Sequence, residues 1–413
     1  MLARQWRRYA LAVQYHGGNA LGFSYQGPRG ENCLVYEPRS NGTIIQADLR
    51  GIESIEGRIR RALNCLVGRD NYQNIQVSSR TDRGVHAWRN TFQVDIRLRL
   101  AKSATTDAQP SITCDGSFHE AWDPKKLVHG INYYLSRLPG TITEEEENAQ
   151  DRSFLFNRQS NHRMQSNNTI RILSAAVAPN VRVPNHNYDP NLPQDADNPI
   201  DLPWDVRFTA TRRFYAYRIL HSFDMEHESD NDSGVYSTAC YHSYPFEDDR
   251  VWRIHERNSS RCRNKRMWLD VNAMNLAGVY LTGTHDFTSF RGKGCQRFSP
   301  IVTVESISCT TKRYHDNAGE GILNAALRHT STEGRLLSTP DTLKLVTIVI
   351  SGNSFVYHQI RNIVACLVEV GQGKMTPEDV KAILEKKDRS CAVGMAPPQG
   401  LFLVDVEHGD FIF

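Results

Sequence analysis

The chain has 413 residues, of which 39% are hydrophobic and 23% charged, and its formal net charge is +3. This composition predicts a globular, soluble protein with room for two domains of ordinary size. No run approaches the roughly 18 apolar residues of a membrane span, and no secretory signal precedes the first predicted strand, so a membrane or secreted protein is not expected. The charge is too small to indicate nucleic-acid binding by itself. The nine cysteines are scattered without C-x-x-C pairs, which predicts reduced thiols and no structural zinc.

The first part of the chain predicts a strand, a helix and two further strands. Tyr9 to Tyr15 alternates as a strand, and apolar residues recur at helical spacing from Gln46 to Leu66. Asn74 to Val77 is a short strand, and Phe92 to Leu98 alternates apolar with polar residues, which predicts one buried face. Three arginines lie off the apolar stripe of the helix and face either solvent or phosphates: Arg58, Arg60 and Arg61.

A compact polar turn, Arg80-Thr-Asp-Arg-Gly-Val-His-Ala87, lies between the last two strands. Gly84 supplies the backbone freedom that a tight corner needs. Asp82 therefore lies at a strand end, between Arg80 and Arg83. A carboxylate in this place is either an Asx-type cap of the turn or a catalytic group that the neighbouring guanidinium keeps ionised.

Beyond the turn, hydrophobic periodicity predicts helices at 124–138, 269–280, 354–370 and from 376 onwards, and strands at 211–219, 301–307 and 344–351. Four polar segments separate these elements: 101–120, 141–202, 225–265 and 313–340. The segment 141–202 contains four consecutive glutamates and five prolines, which predicts an inserted, partly disordered linker. The predicted domains are an N-terminal α/β half at 1–140, this linker, and a C-terminal α/β half at 203–413.

Some residues of the second part have more than one interpretation. Tyr215 and Tyr217 share one face of the strand at 211–219, where such a pair is usually part of the core. Arg361 lies beside the apolar stripe near the start of the helix at 354–370. It either snorkels to water or, if buried, needs a carboxylate partner. Arg291 opens a basic loop that either contacts phosphates or is merely exposed.

Five motifs, in order along the chain, resemble those of one enzyme family. They are Arg80-Thr-Asp-x-Gly-Val-His-Ala87, Arg213-x-Tyr-x-Tyr-x-Ile219, Gly283-x-x-Asp-Phe-x-x-Phe290, Phe355-x-x-x-x-Ile-Arg-Asn-Ile363 and Ala396-Pro-x-x-Gly-Leu-x-Leu403. The chain resembles the TruA family of pseudouridine synthases from Tyr9 to about Asp405, interrupted by the polar segments. The first, third and fifth motifs look closest to the animal pseudouridylate synthase-like subgroup.

The resemblance implies an α+β fold, in which two α/β halves share a mixed, mainly antiparallel central sheet with a catalytic cleft between them. It implies an enzyme that isomerises specific uridines to pseudouridine without a cofactor or a metal ion. The implied partner is RNA, either tRNA or other transcripts, and not a membrane. A homodimer is left open.

The resemblance also implies the site residues. The catalytic residues are Asp82, Tyr215 and Arg361, with the Arg361 guanidinium paired to the Asp82 carboxylate. Tyr215 stacks on the uracil, Tyr217 stays in the core, and whether Asp82 acts as nucleophile or base is open. Eight further residues are implied to bind the substrate: Arg80, Thr81, Gly84, His86, Asn132, Arg207, Phe290 and Arg291.

Two departures from the family pattern lie beside Asp82. Ser79 stands where bacterial members have Gly, and Arg83 stands where many have Ala. The Arg83 difference is expected to alter RNA contacts beside the site and thereby the choice of substrate. The expected location is mitochondrial, with the nucleus or cytoplasm as the alternative. This expectation rests on the subgroup resemblance and on an N-terminus with three arginines among its first eight residues and no acid before Glu31.

Two other functions compete with this interpretation. A non-catalytic RNA-binding protein could retain the same fold, but the joint presence of Asp82, Tyr215 and Arg361 argues against it. A glycoside-hydrolysing enzyme usually needs two carboxylates, and Asp82 has no acidic companion in its motif.

Overall fold

The computed structural model describes residues 6–24, 33–36, 45–48, 54–100, 111–112, 118–137, 169–183, 200–223, 249–256, 268–313 and 343–413. The chain forms two compact units. The first comprises Met1–Thr211 and Val404–Phe413, and the second comprises Arg212–Leu403. None of the described helices combines the length and the hydrophobicity that crossing a membrane requires.

The described part of the first unit is built on an antiparallel sheet with two helices. Its described strands are β1 (Trp6–Tyr15), β2 (Cys33–Tyr36), β3 (Ile45–Asp48), β4 (Tyr72–Val77), β5 (His86–Arg97), β6 (Arg99–Leu100), β7 (Ser111–Ile112), β8 (Phe118–Glu120), β9 (Ile170–Val177), β10 (Asn180–Val183) and β11 (Ile200–Pro203). Its helices are α1 (Ile55–Leu66) and α2 (Pro124–Leu135). In the main sheet, β1 lies between β5 and β9, and β4 pairs with β5.

The alternation in β5 predicted one buried face, and this prediction was wrong because both faces are covered. Every residue from Asn90 to Ile96 is buried. The polar side chains on the second face are hydrogen-bonded inside the unit: Gln93 Oε1 accepts from the backbone N–H of Val206 at 2.8 Å, and Asp95 accepts two bonds from the Arg8 guanidinium. Such pairing is what allows polar groups to be buried in a sheet.

Helix α1 begins nine residues later than the spacing predicted, because Ile45–Asp48 forms a strand instead. The true start has a regular cap, in which Ser54 Oγ accepts from the Gly57 N–H at 3.0 Å. Arg58 faces neither solvent nor phosphate. It is buried, and its guanidinium donates to Thr169 Oγ1 and to the Asn19 carbonyl.

The prediction of a linker at 141–202 was wrong for part of its length. Strand β9 lies within it and pairs with β1, and Ile170 and Ile172 are buried there. The residues at 141–168 and 184–199 lie outside the described part of the chain. Both ends of the predicted C-terminal half, residues 203–211 and 404–413, belong to the first unit instead. Trp204 packs there with Ala10, Phe411 and Phe413.

The described part of the second unit consists of a mixed sheet with three helices. Its strands are β12 (Arg212–Phe223), β13 (Trp252–Glu256), β14 (Gly283–Asp286), β15 (Ile301–Arg313) and β16 (Leu343–Gly352), and its helices are α3 (Val271–Leu281), α4 (Gln359–Gly371) and α5 (Pro377–Lys386). The order β14-β15-β16-β12 is antiparallel throughout, whereas β13 is parallel to β12. A last strand, β17 (Leu401–Glu407), leads from the second unit back to the first. The predicted α+β class, with mixed and mainly antiparallel strands, is confirmed.

Helix α4 begins five residues after the predicted start at Ser354. His358, which precedes the helix, has a left-handed backbone with φ of 63°, and a continuous helix cannot pass through that conformation. Arg361 therefore lies in the first helical turn. In α5 the expected cap is present, since Thr376 and Asp379 form a reciprocal capping box.

Candidate active site

The turn that carries Asp82 has a defined backbone. The Val85 N–H donates to the Asp82 carbonyl at 3.1 Å, which closes a four-residue turn. Gly84, its third residue, has φ of 81°, and Arg83 is not among the described residues with positive φ. This combination is that of a type II turn, which requires glycine at the third position. The structure thus gives Gly84 a conformational role, and its substrate contact stays a prediction.

Thr81 is an internal support of the turn. It is only 3% exposed, and its hydroxyl shares a 2.8 Å hydrogen bond with Tyr15 and accepts from the Phe23 N–H at 3.1 Å. Gly22 runs against the same backbone: a Cβ placed on it would lie 2.2 Å from the Thr81 carbonyl oxygen. The Thr81 hydroxyl is thus used inside the unit, and its contact with substrate stays a prediction.

His86 is likewise buried, at 1% exposure. Its Nδ1 accepts from the Gly17 N–H at 3.1 Å, so this nitrogen carries no proton. A Cβ on Gly17 would lie 1.9 Å from the Val85 carbonyl oxygen, so the two segments touch through their backbones. His86 therefore helps to hold the turn, and its substrate contact stays a prediction.

Two further residues of this network were missed by the sequence analysis. Asn90 is fully buried and donates through Nδ2 to the Ser79 carbonyl at 2.9 Å and to the Tyr15 hydroxyl at 3.1 Å. Tyr15 thereby connects Asn90 with Thr81. Tyr15 lies in a predicted strand, whereas Asn90 lies two residues before the strand predicted at 92–98. Strand periodicity carries no signal for partners that lie 66 to 75 positions apart in sequence.

Asp82 itself is partly buried, whereas Arg80 and Arg83 on either side of it are exposed. A carboxylate on a backbone that is already fixed can serve as nucleophile or general base with little further loss of conformational entropy. Among the described residues, no three His, Cys, Asp or Glu side chains are grouped as metal ligands would be. The turn therefore presents one carboxylate with flanking guanidinium groups.

Asn132 and Arg207 lie on other elements of the first unit. Asn132 in α2 donates to the Ile172 carbonyl and accepts from the Ile172 N–H, each at 2.8 Å, so its amide is committed to β9. The substrate role of Asn132 stays a prediction. Arg207 is exposed, forms two hydrogen bonds with Asp205, and lies over the exposed ring of Phe208.

Tyr215 and Tyr217 of β12 have different surroundings in the second unit. Tyr215 is 7% exposed and meets the Phe355 ring edge-on at 5.3 Å. Tyr217 is 1% exposed, its hydroxyl donates to the Pro397 carbonyl at 2.7 Å, and burial raises its pKa above the ordinary value. Tyr217 is thus a core residue with a satisfied hydroxyl.

Arg361 is buried, at 7% exposure, and does not snorkel to water. Its Nε donates to the Ala396 carbonyl at 2.7 Å, next to the carbonyl that Tyr217 uses. The backbone N–H of Ala396 donates in turn to the Arg361 carbonyl at 3.2 Å. The segment at 396–397 is therefore fixed to both α4 and β12, and the pairing of Arg361 with Asp82 stays a prediction.

Phe290 and Arg291 were predicted to bind substrate, and their contacts are structural. Phe290 is fully buried beside Phe287, so its ring has no surface for a base. The Arg291 guanidinium donates to the carbonyls of Cys295 and Arg297 within its own loop. These bonds fix the loop and leave Arg291 only half-buried.

Removing the Tyr217 hydroxyl with Tyr217→Phe is expected to lower the free energy of unfolding by about 1–3 kcal/mol, because it leaves the Pro397 carbonyl without its donor. Denaturant unfolding followed by circular dichroism measures this. Tyr280→Phe is the matched control, since that hydroxyl reaches Glu378 at an exposed site and its loss is expected to be nearly neutral. Equal stabilities of the two variants would contradict the assignment of Tyr217 to the core.

Known proteins match this chain, some of them along nearly its whole length. A family model described as tRNA pseudouridine synthase matches residues 277–408. The chain is 25% identical over 401 residues to the tRNA pseudouridine synthase A of Allorhizobium ampelinum, which covers 97% of this chain and 95% of the relative. It is 26% identical over 406 residues to that of a Ruegeria species, covering 98% and 97%. It is 30% identical over 208 residues to that of Ehrlichia ruminantium, covering 50% and 61%.

Proposed function

We propose that the chain isomerises specific uridines of tRNA to pseudouridine. The premise is that it belongs to the TruA family of tRNA pseudouridine synthases. The observation that carries this conclusion for the chain itself is the turn at 80–85. It holds a single partly buried carboxylate, that of Asp82, on a backbone fixed by Thr81, Gly22 and the 3.1 Å Asp82–Val85 bond.

The reaction moves the uracil from one attachment to another. The bond from the ribose C1′ to N1 of uracil breaks, and a bond from C1′ to C5 forms. The C5 hydrogen leaves as a proton, and N1 gains one, so no oxidant, reductant or water is consumed. We assign Asp82 to the sugar, as the nucleophile or the base that starts this exchange.

Tyr215 and Arg361 are the proposed partners of Asp82. Flipping the uridine out of its stack costs a few kcal/mol. Stacking of the flipped base on an aromatic ring stabilises it by about 1–3 kcal/mol and so offsets part of that cost. Tyr215 supplies that ring and Arg361 orients the Asp82 carboxylate. Exposed Arg80 is proposed to contact the flipped nucleotide.

Mass spectrometry of a transcribed tRNA after incubation with the purified protein tests the function. Pseudouridine has the mass of uridine, so the products are digested to nucleosides and separated by chromatography before detection. Pseudouridine without added cofactor or metal is the expected result. Unchanged tRNA would favour the non-catalytic RNA-binding protein, and free uracil would favour a glycoside hydrolase.

A mitochondrial location is proposed on two supports: the arginines among the first eight residues, and the resemblance of three motifs to the animal subgroup. Fractionation of cells that express a C-terminally tagged protein, with pseudouridine mapped in organellar and cytosolic RNA after depletion, tests it. The expected result is tagged protein in mitochondria and loss of organellar sites. A tag confined to the nucleus with organellar sites unchanged would refute the location.

The same mapping tests transcripts other than tRNA, and light scattering of the purified protein tests a homodimer.

A further inference from the structure

Helix α2 of the first unit has a basic exposed face. Lys126, His129, Tyr133 and Arg137 are exposed and follow one another at spacings of three, four and four residues. These spacings place them on one side of the helix, over about 16 Å of its length and the turn that follows. The opposite side is buried through Leu127, Ile131 and Leu135.

This face lacks acidic neighbours along the helix. The segment Pro124–Arg137 contains Lys125, Lys126 and Arg137 and not one Asp or Glu, so it has the same formal charge as the whole chain, +3. The nearest carboxylate in sequence, Asp123, caps the helix by accepting from the Lys126 backbone N–H at 2.8 Å. In the described part of the chain, no carboxylate forms an ion pair with any of the three cations.

Other arginines of the first unit are neutralised locally. Arg60 pairs with Glu56 at 2.6 Å, Arg207 with Asp205 at 3.1 Å, and Arg89 with Asp405 at 2.6 Å. A cation that already holds a carboxylate adds little positive potential to the surface. The α2 face differs from these sites because its charge is not compensated by described neighbours.

The guanidinium of Arg137 is held in place by an aromatic ring. Its Cζ lies 4.2 Å from the centre of the Tyr133 ring, and Tyr133 meets Tyr134 edge-on at 5.2 Å. A stacked guanidinium keeps its N–H groups at the edge, where they can donate to a phosphate. The helix beneath is rigidly supported, since Gly130 packs on Leu66 of α1 and Asn132 is bound to β9.

We propose that the face formed by Lys126, His129, Tyr133 and Arg137 binds the ribose–phosphate backbone of the substrate RNA, as a contact separate from the turn that carries Asp82. The proposal rests on the proposed function for the identity of the RNA. Two phosphate-binding cations, Lys126 and Arg137, stand at the two ends of the face. Tyr133 is a positioning residue that orients Arg137.

The experiment measures binding of a transcribed tRNA to the full chain at several salt concentrations. In the variant Lys126→Ala/Arg137→Ala, the slope of log affinity against log salt is expected to decrease in magnitude by about 1 per removed phosphate contact, hence by about 2. Tyr133→Ala is expected to lose part of the Arg137 contribution and Tyr133→Phe to retain it. Because binding is measured without turnover, the test stands even if the protein proves not to be an isomerase.

The matched control is Lys381→Ala on α5. Lys381 is also an exposed cation near a tyrosine ring, 5.7 Å from that of Tyr280, but Glu385 lies 3.9 Å from its ammonium group. Its removal is expected to leave the salt slope unchanged. An Lys126→Ala/Arg137→Ala variant with the wild-type melting temperature, affinity and salt slope would overturn the proposal and leave the face to another partner.

Discussion

Asp82→Asn is expected to reduce pseudouridine formation below detection while RNA affinity and melting temperature stay close to those of the wild type. The substitution removes the charge but keeps the side-chain shape, and the bond that closes the turn uses the Asp82 backbone carbonyl. A neutral amide can neither attack the sugar nor take up a proton as the carboxylate would. Nucleoside analysis of tRNA after single-turnover incubation, together with filter binding, separates chemistry from affinity.

Asp70→Asn is the control for this experiment. Asp70 is an exposed carboxylate of the same unit, in the short turn before β4, and its neutralisation is expected to leave turnover unchanged. Pseudouridine formation by a clean preparation of Asp82→Asn would refute the assignment of the catalytic carboxylate. It would leave the family assignment intact.

Gly22→Ala is expected to lower the free energy of unfolding by more than about 2 kcal/mol and to reduce turnover of the molecules that remain folded. The residue has φ of 86°, which costs an L-amino acid about 1–3 kcal/mol, and its new Cβ would meet the Thr81 carbonyl at 2.2 Å and the Asp82 carbonyl carbon at 3.0 Å. The displaced backbone is that of the turn that carries Asp82. Calorimetry gives the stability, and turnover well below the melting temperature gives the effect on the site.

Gly394→Ala provides the comparison, because the added methyl group meets nothing within 4 Å and the residue does not have positive φ. That variant is expected to match the wild type in both measurements. Thr81→Val serves if Gly22→Ala does not fold, since it keeps the shape and removes only the hydroxyl that Tyr15 and Phe23 bind. Wild-type turnover in both Gly22→Ala and Thr81→Val would mean that the turn does not depend on this support.

Local sequence patterns predicted the elements around the site better than the uses of its side chains. The strand, turn and strand around Asp82 are present, and Gly84 has the positive φ that a tight corner needs. The internal hydrogen bonds of Thr81 and His86 were not predicted, because their partners, Tyr15 and Gly17, lie 66 and 69 positions earlier in the chain. Hydrophobic periodicity carries no information about such distant hydrogen bonds.

The misplaced boundaries have a similar origin. The helical spacing from Gln46 continued into α1, and only the cap at Ser54 marks the true start. The second face of β5 was predicted to be exposed because its residues are polar. Gln93 on that face nevertheless accepts a hydrogen bond from the backbone N–H of Val206, which lies 113 positions later. Burial of a polar face depends on what later packs against it, and alternation within the strand cannot reveal that.

The bond between Asn132 and Ile172 closes an edge of a sheet. Among the described strands, β9 is the last on its side of the first unit, and an outer strand offers unpaired backbone groups to any extended chain that approaches. The Asn132 amide occupies both the donor and the acceptor of Ile172, as a residue of a neighbouring strand would. One side chain thus makes the outer strand a poorer template for strand addition at that residue, so α2 protects the protein from intermolecular strand pairing as well as packing against its sheet.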